Sequence, residues 1–200
     1  MAIHYRSQTV RKETLHTVSL VASHLRPGAS VLDVGCGEGL VLEELRARGA
    51  GEVFGVDIVD LRGDRGLPFG LYDGTTLPFG DGRFDLVMLN FVLHHVPDER
   101  KRTLLREALR VSRGAVFVVE DTPATPLDRL FSHRHGEAYR KRIKSRAPFG
   151  FLTTGEWRWL FRGMGLEPEI QRLSRFCRSI LQPFARTVFL LRAPALARAT

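Results

Sequence analysis

The segment Val31-Leu-Asp-Val-Gly-Cys-Gly-Glu-Gly39 constrains this chain more than any other. A short apolar run, Val31 to Val34, breaks into glycines at 35, 37 and 39, and Leu40 to Ala47 continues with helical periodicity before Gly49 stops it. A hydrophobic strand that turns on glycines and re-enters as a helix is the junction of a parallel α/β unit. Glycines there let the backbone turn sharply and approach a ligand with no Cβ in the way. Amides at the helix start offer donors to a polar or anionic group.

The pattern around this junction repeats the alternation. From Arg11 to Leu25, Leu15, Val18, Leu20, Val21, Ala22 and Leu25 recur at helical spacing until Pro27-Gly28. Val53 to Asp57 reads as a second strand, and a stretch rich in Gly, Asp and Pro, 60–83, separates it from a third, Phe84 to Asn90. Pro97 to Arg110 is a charged amphipathic helix, and Ala115 to Glu120 another apolar strand. Strands and helices in this order predict a Rossmann-like α/β fold: a doubly wound, mostly parallel sheet with helices on both faces.

After Glu120 the rhythm breaks. Residues 121–152 contain three prolines and no clear buried strand. Thr153-Thr-Gly-Glu156 resembles a capping box opening a helix through Trp157, Leu160 and Phe161, and Arg186 to Arg192 reads as a closing strand. The expected organisation is one domain over 1–200. It comprises an N-terminal helical segment (1–27), a ligand-binding core (28–120), an inserted lid or substrate segment (121–152) and a closing helix with strands (153–200).

Composition narrows the class. With 200 residues, 44% apolar and 26% charged, the chain holds enough apolar surface for one substantial core. The longest near-apolar runs, Thr187 to Leu191 and Ala115 to Val119, fall far short of the roughly 20 residues that span a bilayer. The start, Met1-Ala-Ile-His-Tyr-Arg6, lacks an apolar secretory core, so a soluble, cytoplasmic protein with no membrane partner is expected. Cys36 and Cys177 cannot by themselves make a disulfide framework or a four-ligand zinc site. Charge is segregated: residues 1–128 carry 15 basic and 18 acidic side chains, whereas 129–200 carry 15 and 4, a local excess of +11. Such an excess suits either an anionic partner or a solvated, arginine-rich surface.

Asp57 ends the second strand, 18 residues beyond Gly39. An acid there can accept both hydroxyls of a ribose, so loop and acid together point to a nucleoside cofactor. The glycine spacing disfavours the commonest one. A dinucleotide fingerprint reads Gly-x-Gly-x-x-Gly, whereas here position 40 is Leu, and no Walker lysine follows. A pyrophosphate cradle, and with it nicotinamide-dependent oxidation, is disfavoured.

Four segments then match a known family in order. Val31–Gly39, Gly55-Val-Asp57, Asp73-Gly-Thr-Thr-Leu-Pro-Phe-Gly-Asp-Gly-Arg-Phe-Asp85 and Leu89-Asn-Phe-Val-Leu-His-His-Val96 resemble the class I S-adenosylmethionine-dependent methyltransferases, in their small-molecule, type 11-like branch. The resemblance is continuous over about residues 28–120. It implies a seven-stranded sheet whose last strand, 186–192, runs antiparallel. It places Gly35, Cys36, Gly37 and Gly39 along the methionine end of the cofactor, with Asp33 orienting the loop or reaching the cofactor amine. Asp57 would bind the ribose hydroxyls, Ile58 would pack on the adenine, and Asp73 with Gly74 would meet the adenine amino group. Asn90 would offer its backbone carbonyl near the amine or sulfonium, with Phe91 lining that side. The usual Gly-Gly before the fifth strand is here Ser112-Arg-Gly-Ala115, expected to be a shortened turn.

Methyl transfer from a sulfonium is an in-line displacement in which the protein mainly aligns donor and acceptor and excludes water. A general base is needed only when the acceptor must lose a proton. His95 is the candidate base and His94 a candidate acceptor contact; the alternative is that the pair caps a strand end structurally. His133 and Arg134, in the inserted segment, are the other candidate substrate contacts, and Phe149, Phe151, Trp157 and Trp159 either line the acceptor pocket or belong to the core. No metal is expected: His133 and His135, two apart, do not share a helix face. No Pro-Cys nucleophile and no Asn-Pro-Pro-Tyr type motif occurs, the strand end reading Asn90-Phe-Val-Leu. The expected partner is therefore a small-molecule acceptor methylated on oxygen or nitrogen. An RNA methyltransferase using the basic C-terminal part and a catalytically silent cofactor-binding protein are the other readings.

Overall fold

A computed structural model of the chain describes residues 8–130, 132, 137, 150–173 and 185–192. Among these, seven strands form one sheet in the order β3-β2-β1-β4-β5-β7-β6. They are β1 (Val31–Val34), β2 (Val53–Asp57), β3 (Phe69–Leu71), β4 (Phe84–Asn90), β5 (Ser112–Asp121), β6 (Glu169–Leu173) and β7 (Arg186–Leu191). Strands β1 to β5 run parallel, and β7 lies antiparallel between β5 and β6. The helices are α1 (Gln8–Ala22), α2 (Leu40–Ala47), α3 (Asp98–Val111) and α4 (Thr154–Arg162), with a 3-10 turn at Leu93–His95. Among the described residues no helix is long and apolar enough to cross a membrane.

Alternation along the buried strands builds two cores. Val31, Met88 and Phe117 point to one face and pack with Val18 and Val21 of α1 and Leu42 and Leu45 of α2. Leu32, Val87 and Val116 point to the other, where Leu104 and Leu105 of α3 and Trp157 and Phe161 of α4 cover them. The α4 start has the capping box that Thr153 and Glu156 foretell, with reciprocal bonds of 3.2 and 2.7 Å.

Of the aromatic residues read as either pocket lining or core, Trp157 is fully buried in the second core, and Trp159 is 74% exposed beneath the Arg102 guanidinium. One expectation needs correction. The Ser112-Arg-Gly segment is not a turn: α3 ends at Val111 and β5 starts at once, because Asp85 clamps that corner by accepting from Ser30 N at 2.8 Å and Arg113 Nε at 2.9 Å. This clamp lies at the N-terminal sheet edge, opposite the site.

The strand order reverses between β1 and β4. Both run with their carboxyl ends on the same side, so helices leave in opposite directions there and a crevice opens above Val34 and Asn90.

Candidate active site

The glycine loop forms one wall of this crevice. Gly35 N and Cys36 N both donate to Val56 O, at 2.7 and 3.2 Å, which holds the chain end of β1 against β2. Gly35 has φ 73°, and a Cβ there would stand 2.5 Å from Val92 Cγ2, so the loop touches the chain after β4 only because position 35 is bare. Gly37 has φ 53° and faces open space. Cys36 packs below the loop against Gly55, and burial, aided by Asp33 and Asp57, pushes its thiol upward, which keeps it an unreactive thiol.

Asp57 braces the loop from the end of β2. Its Oδ2 accepts from Gly37 N at 2.9 Å and its Oδ1 from Ile58 N at 2.7 Å. Burial raises its pKa, while the amides of Gly37, Ile58 and Val59 pull it back. Beyond it Ile58 is 58% exposed, an apolar surface over Gly74, whose Cβ, if present, would lie 3.4 Å from Ile58 Cγ2. Asp73 closes that end. Its Oδ1 accepts from Thr75 N and Oγ1 at 2.8 Å and Thr76 N at 2.7 Å, and these bonds hold its carboxyl below the usual range.

The opposite end of the crevice is built to receive positive charge. Asp33 is 3% exposed; burial, with the charge of Asp57 second, pushes its carboxyl up to about 8. Asn90 Nδ2 donates to Asp33 Oδ1 at 3.3 Å, and Asn90 Oδ1, also buried, has no hydrogen-bond partner among the described residues. A carboxyl that burial keeps from ionising and an orphaned amide oxygen side by side are acceptors awaiting a cation. Phe91 follows with φ 57°, a strained value for an aromatic residue. Two contacts hold it there: its N–H donates to Val119 O at 2.8 Å, and the Arg186 guanidinium, bound to Asp121 at 2.9 Å, lies 4.6 Å over its ring.

The fold brings several of the residues named from sequence into contact: Asp33 with Asn90, Gly37 with Asp57 and Ile58 with Gly74. Gly35 and Cys36 are held against Val56, Gly39 lies against Leu67, and Asp73 and Phe91 adjoin Gly74 and Asn90 in the chain. His94 and His95 sit in the turn after β4, and Phe151 stacks on His94 at 4.6 Å. His133, Arg134, His135, Phe149 and Cys177 lie outside the described residues. Arg186, Asp121 and the pairing of Glu120 with His94 were not assigned from sequence. The available signal was an acid pair closing an apolar strand, Glu120-Asp121, and a histidine pair following another, His94-His95.

A crevice of this form, with an anion-tolerant glycine loop, a ribose-type acid, an exposed apolar platform and paired acceptors for a cation, suits an adenosyl sulfonium from end to end. The family model described as "Methyltransferase domain" matches residues 3–170, and the chain belongs to that family, the class I S-adenosylmethionine-dependent methyltransferases. It is an enzyme of that class and S-adenosylmethionine is its cofactor. Among curated relatives, the chain is 31% identical over 157 residues to a demethylmenaquinone methyltransferase of Mycolicibacterium gilvum, covering 77% of this chain and 68% of that one. It spans only about half the length of the mycobacterial relatives of the same name. Two solved structures share the fold. A Pyrococcus horikoshii protein superposes with TM-score 0.73 at 18% identity, over 96% of this chain and 94% of that one. The 1,6-didemethyltoxoflavin-N1-methyltransferase of Burkholderia thailandensis, solved with S-adenosylhomocysteine, superposes with TM-score 0.66 at 19% identity over 96% and 90%.

Proposed function

We propose that this enzyme methylates oxygen or nitrogen of a small-molecule acceptor by in-line displacement. When bound, S-adenosylmethionine supplies a methyl group already activated by its sulfonium charge. The chain's own residues do the rest. Asp57 accepts from the ribose hydroxyls, Ile58 and Gly74 take the adenine face, and Asp73 accepts from its amino group. Asp33 and Asn90 Oδ1 face the amine and sulfonium end, where the sequence alone suggested the Asn90 backbone carbonyl. Phe91 and the His94–His95 turn border the side from which an acceptor approaches.

The observation that carries this reading is the buried, incompletely satisfied Asp33–Asn90 pair facing the crevice beside a histidine turn. Small-molecule acceptors in the names of relatives, demethylmenaquinone among them, support the substrate class. Of the described arginines beyond residue 128, Arg129, Arg162, Arg186 and Arg192 each pair with a carboxylate, which leaves less free positive charge for a nucleic-acid footprint among the described residues. The test is release of S-adenosylhomocysteine over a panel of phenols, amines, reduced demethylmenaquinone and RNA. Turnover with a phenol or an amine supports the proposal, whereas turnover with reduced demethylmenaquinone alone, which gains its methyl on a ring carbon, overturns the choice of atom. Turnover with RNA alone, or cofactor binding with no turnover over the panel, overturns it.

A further inference from the structure

The turn after β4 contains a buried carboxyl–imidazole pair that cofactor binding does not explain. His94 is 3% exposed, and its Nδ1 lies 2.6 Å from Glu120 Oε2, near the carboxyl end of β5. Glu120 is fully buried; its Oε1 accepts from Leu93 N at 2.7 Å, and the amides of Val92 and His94 also face its carboxylate. Phe151 stacks on the imidazole with an interplanar angle of 18°, and the His95 ring centroid is 4.0 Å away. Among the described residues, the charged and titratable groups around the pair include Lys101 from α3, with its partner Asp98, and His95 from the same turn. Gly150 closes the other side, donating from its N–H to His94 O at 3.0 Å and accepting from Lys101 Nζ at 3.2 Å.

A buried carboxylate–imidazole pair contributes little to stability compared with apolar side chains of the same volume. It does fix the imidazole. A carboxylate accepting from Nδ1–H selects the tautomer whose Nε2 carries the lone pair, and it stabilises the imidazolium that forms when Nε2 takes a proton. The location fits that use. Glu120 follows Val119, the register partner of Asn90, and Val119 O accepts from Phe91 N, so the pair stands at the strand ends that border the methyl-donor end of the crevice.

From this arrangement we propose that His94 Nε2 takes the proton of the methyl acceptor, and that Glu120 is the positioning residue that orients it. The proposal rests on the methyltransferase reading above. An acceptor oxygen or nitrogen uses its lone pair to form the bond to the methyl carbon. The carbon–sulfur pair leaves with sulfur to give S-adenosylhomocysteine, the O–H or N–H electrons stay on the acceptor atom, and the proton passes to His94 Nε2. Burial pushes Glu120 up to about 8. The acid limb of the rate profile therefore belongs to the Glu120–His94 pair and not to a lone imidazole.

The test compares Glu120→Gln and Glu120→Asp with the wild type, using simple phenols and amines as probe acceptors and S-adenosylhomocysteine affinity as the folding control. Glu120→Gln is expected to lower kcat about 10- to 100-fold, leave KM for S-adenosylmethionine within about twofold, and move the acid limb down by about one pH unit. Glu120→Asp should recover part of the loss. A second measurement needs no acceptor: nitrogen NMR of the histidine rings in protein saturated with S-adenosylhomocysteine. It should find His94 protonated on Nδ1 in the wild type, and a changed tautomer and lower titration in Glu120→Gln. An unmoved acid limb or an unmoved His94 tautomer in Glu120→Gln, or full turnover by a folded His94→Gln, overturns the proposal. A wild type that does not bind S-adenosylhomocysteine defeats the methyltransferase reading instead.

Discussion

Asp57 Oδ2 accepts a hydrogen bond from Gly37 N at 2.9 Å, so the acid at the end of β2 and the apex of the glycine loop form one unit. A carboxylate has about four lone-pair positions. The amides of Gly37 and Ile58 take two of them at short distance and leave capacity for ribose hydroxyls. The acid thus shapes the loop and also completes the site for the sugar.

Asp57→Ala removes both roles. Cofactor affinity should fall by about 1–3 kcal/mol, the range for lost hydrogen bonds to a charged group. Calorimetry with S-adenosylhomocysteine checks it, and unchanged affinity in a folded variant would remove Asp57 from the site.

Glycines 35 and 37 should fail in different ways. In Gly35→Ala the new methyl meets Val92 at 2.5 Å with φ 73°, so stability should drop by about 1–3 kcal/mol. In Gly37→Ala nothing lies within 4 Å, so the strain is confined to the backbone and the methyl projects into the crevice. Thermal unfolding and cofactor titration, run on both variants, should show Gly35→Ala losing more stability and Gly37→Ala losing more of its binding relative to its stability.

Asp33 makes both stability and binding depend on pH. Its folded pKa, about 8, lies above the unfolded value because burial favours the neutral acid. The folded state therefore binds more protons, and Asp33's contribution to stability is full below about pH 4 and is lost as pH rises towards about 8. A cationic cofactor reverses the preference by favouring the carboxylate. S-adenosylmethionine should bind more tightly as pH rises from about 6 to 8, with proton release. Calorimetry in buffers of different ionisation enthalpy would detect that proton. Asp33→Asn should abolish the release and flatten its share of the stability loss.

Arg186 ties the far strand to the site. Arg186→Gln leaves Asp121 buried without its cation, which costs about 3–5 kcal/mol when one member of a buried pair is removed. It also takes the guanidinium from over Phe91. Denaturant unfolding should show the loss, and a neutral result would mean that Asp121 is solvated.

Much of the fold was readable because the chain writes it locally. Val31–Val34, Val53–Asp57 and Phe84–Asn90 are apolar runs bounded by glycine, acid or proline, and α2 ends at Ala47 just before its glycine. Strand β3 was missed because three residues inside a Gly- and Pro-rich stretch carry no periodicity. Strand β6 was missed because Glu169-Ile-Gln-Arg-Leu173 is an edge strand whose charges suit an outer position and read as a loop. The residues proposed for the cofactor side are legible in the sequence since glycine spacing and two acids mark them along the chain. The Glu120–His94 and Asp121–Arg186 pairs were not, because each joins residues far apart in sequence (26 and 65 positions) through sheet order alone.

A crystal structure with S-adenosylhomocysteine bound tests the central assignment most directly. The expected result puts the ribose hydroxyls on Asp57, the adenine between Ile58 and Asp73, and the amino acid end on Asp33 and Asn90. A ligand seated elsewhere, or a crevice closed by the protein's own side chains while the ligand stays unbound, would contradict it.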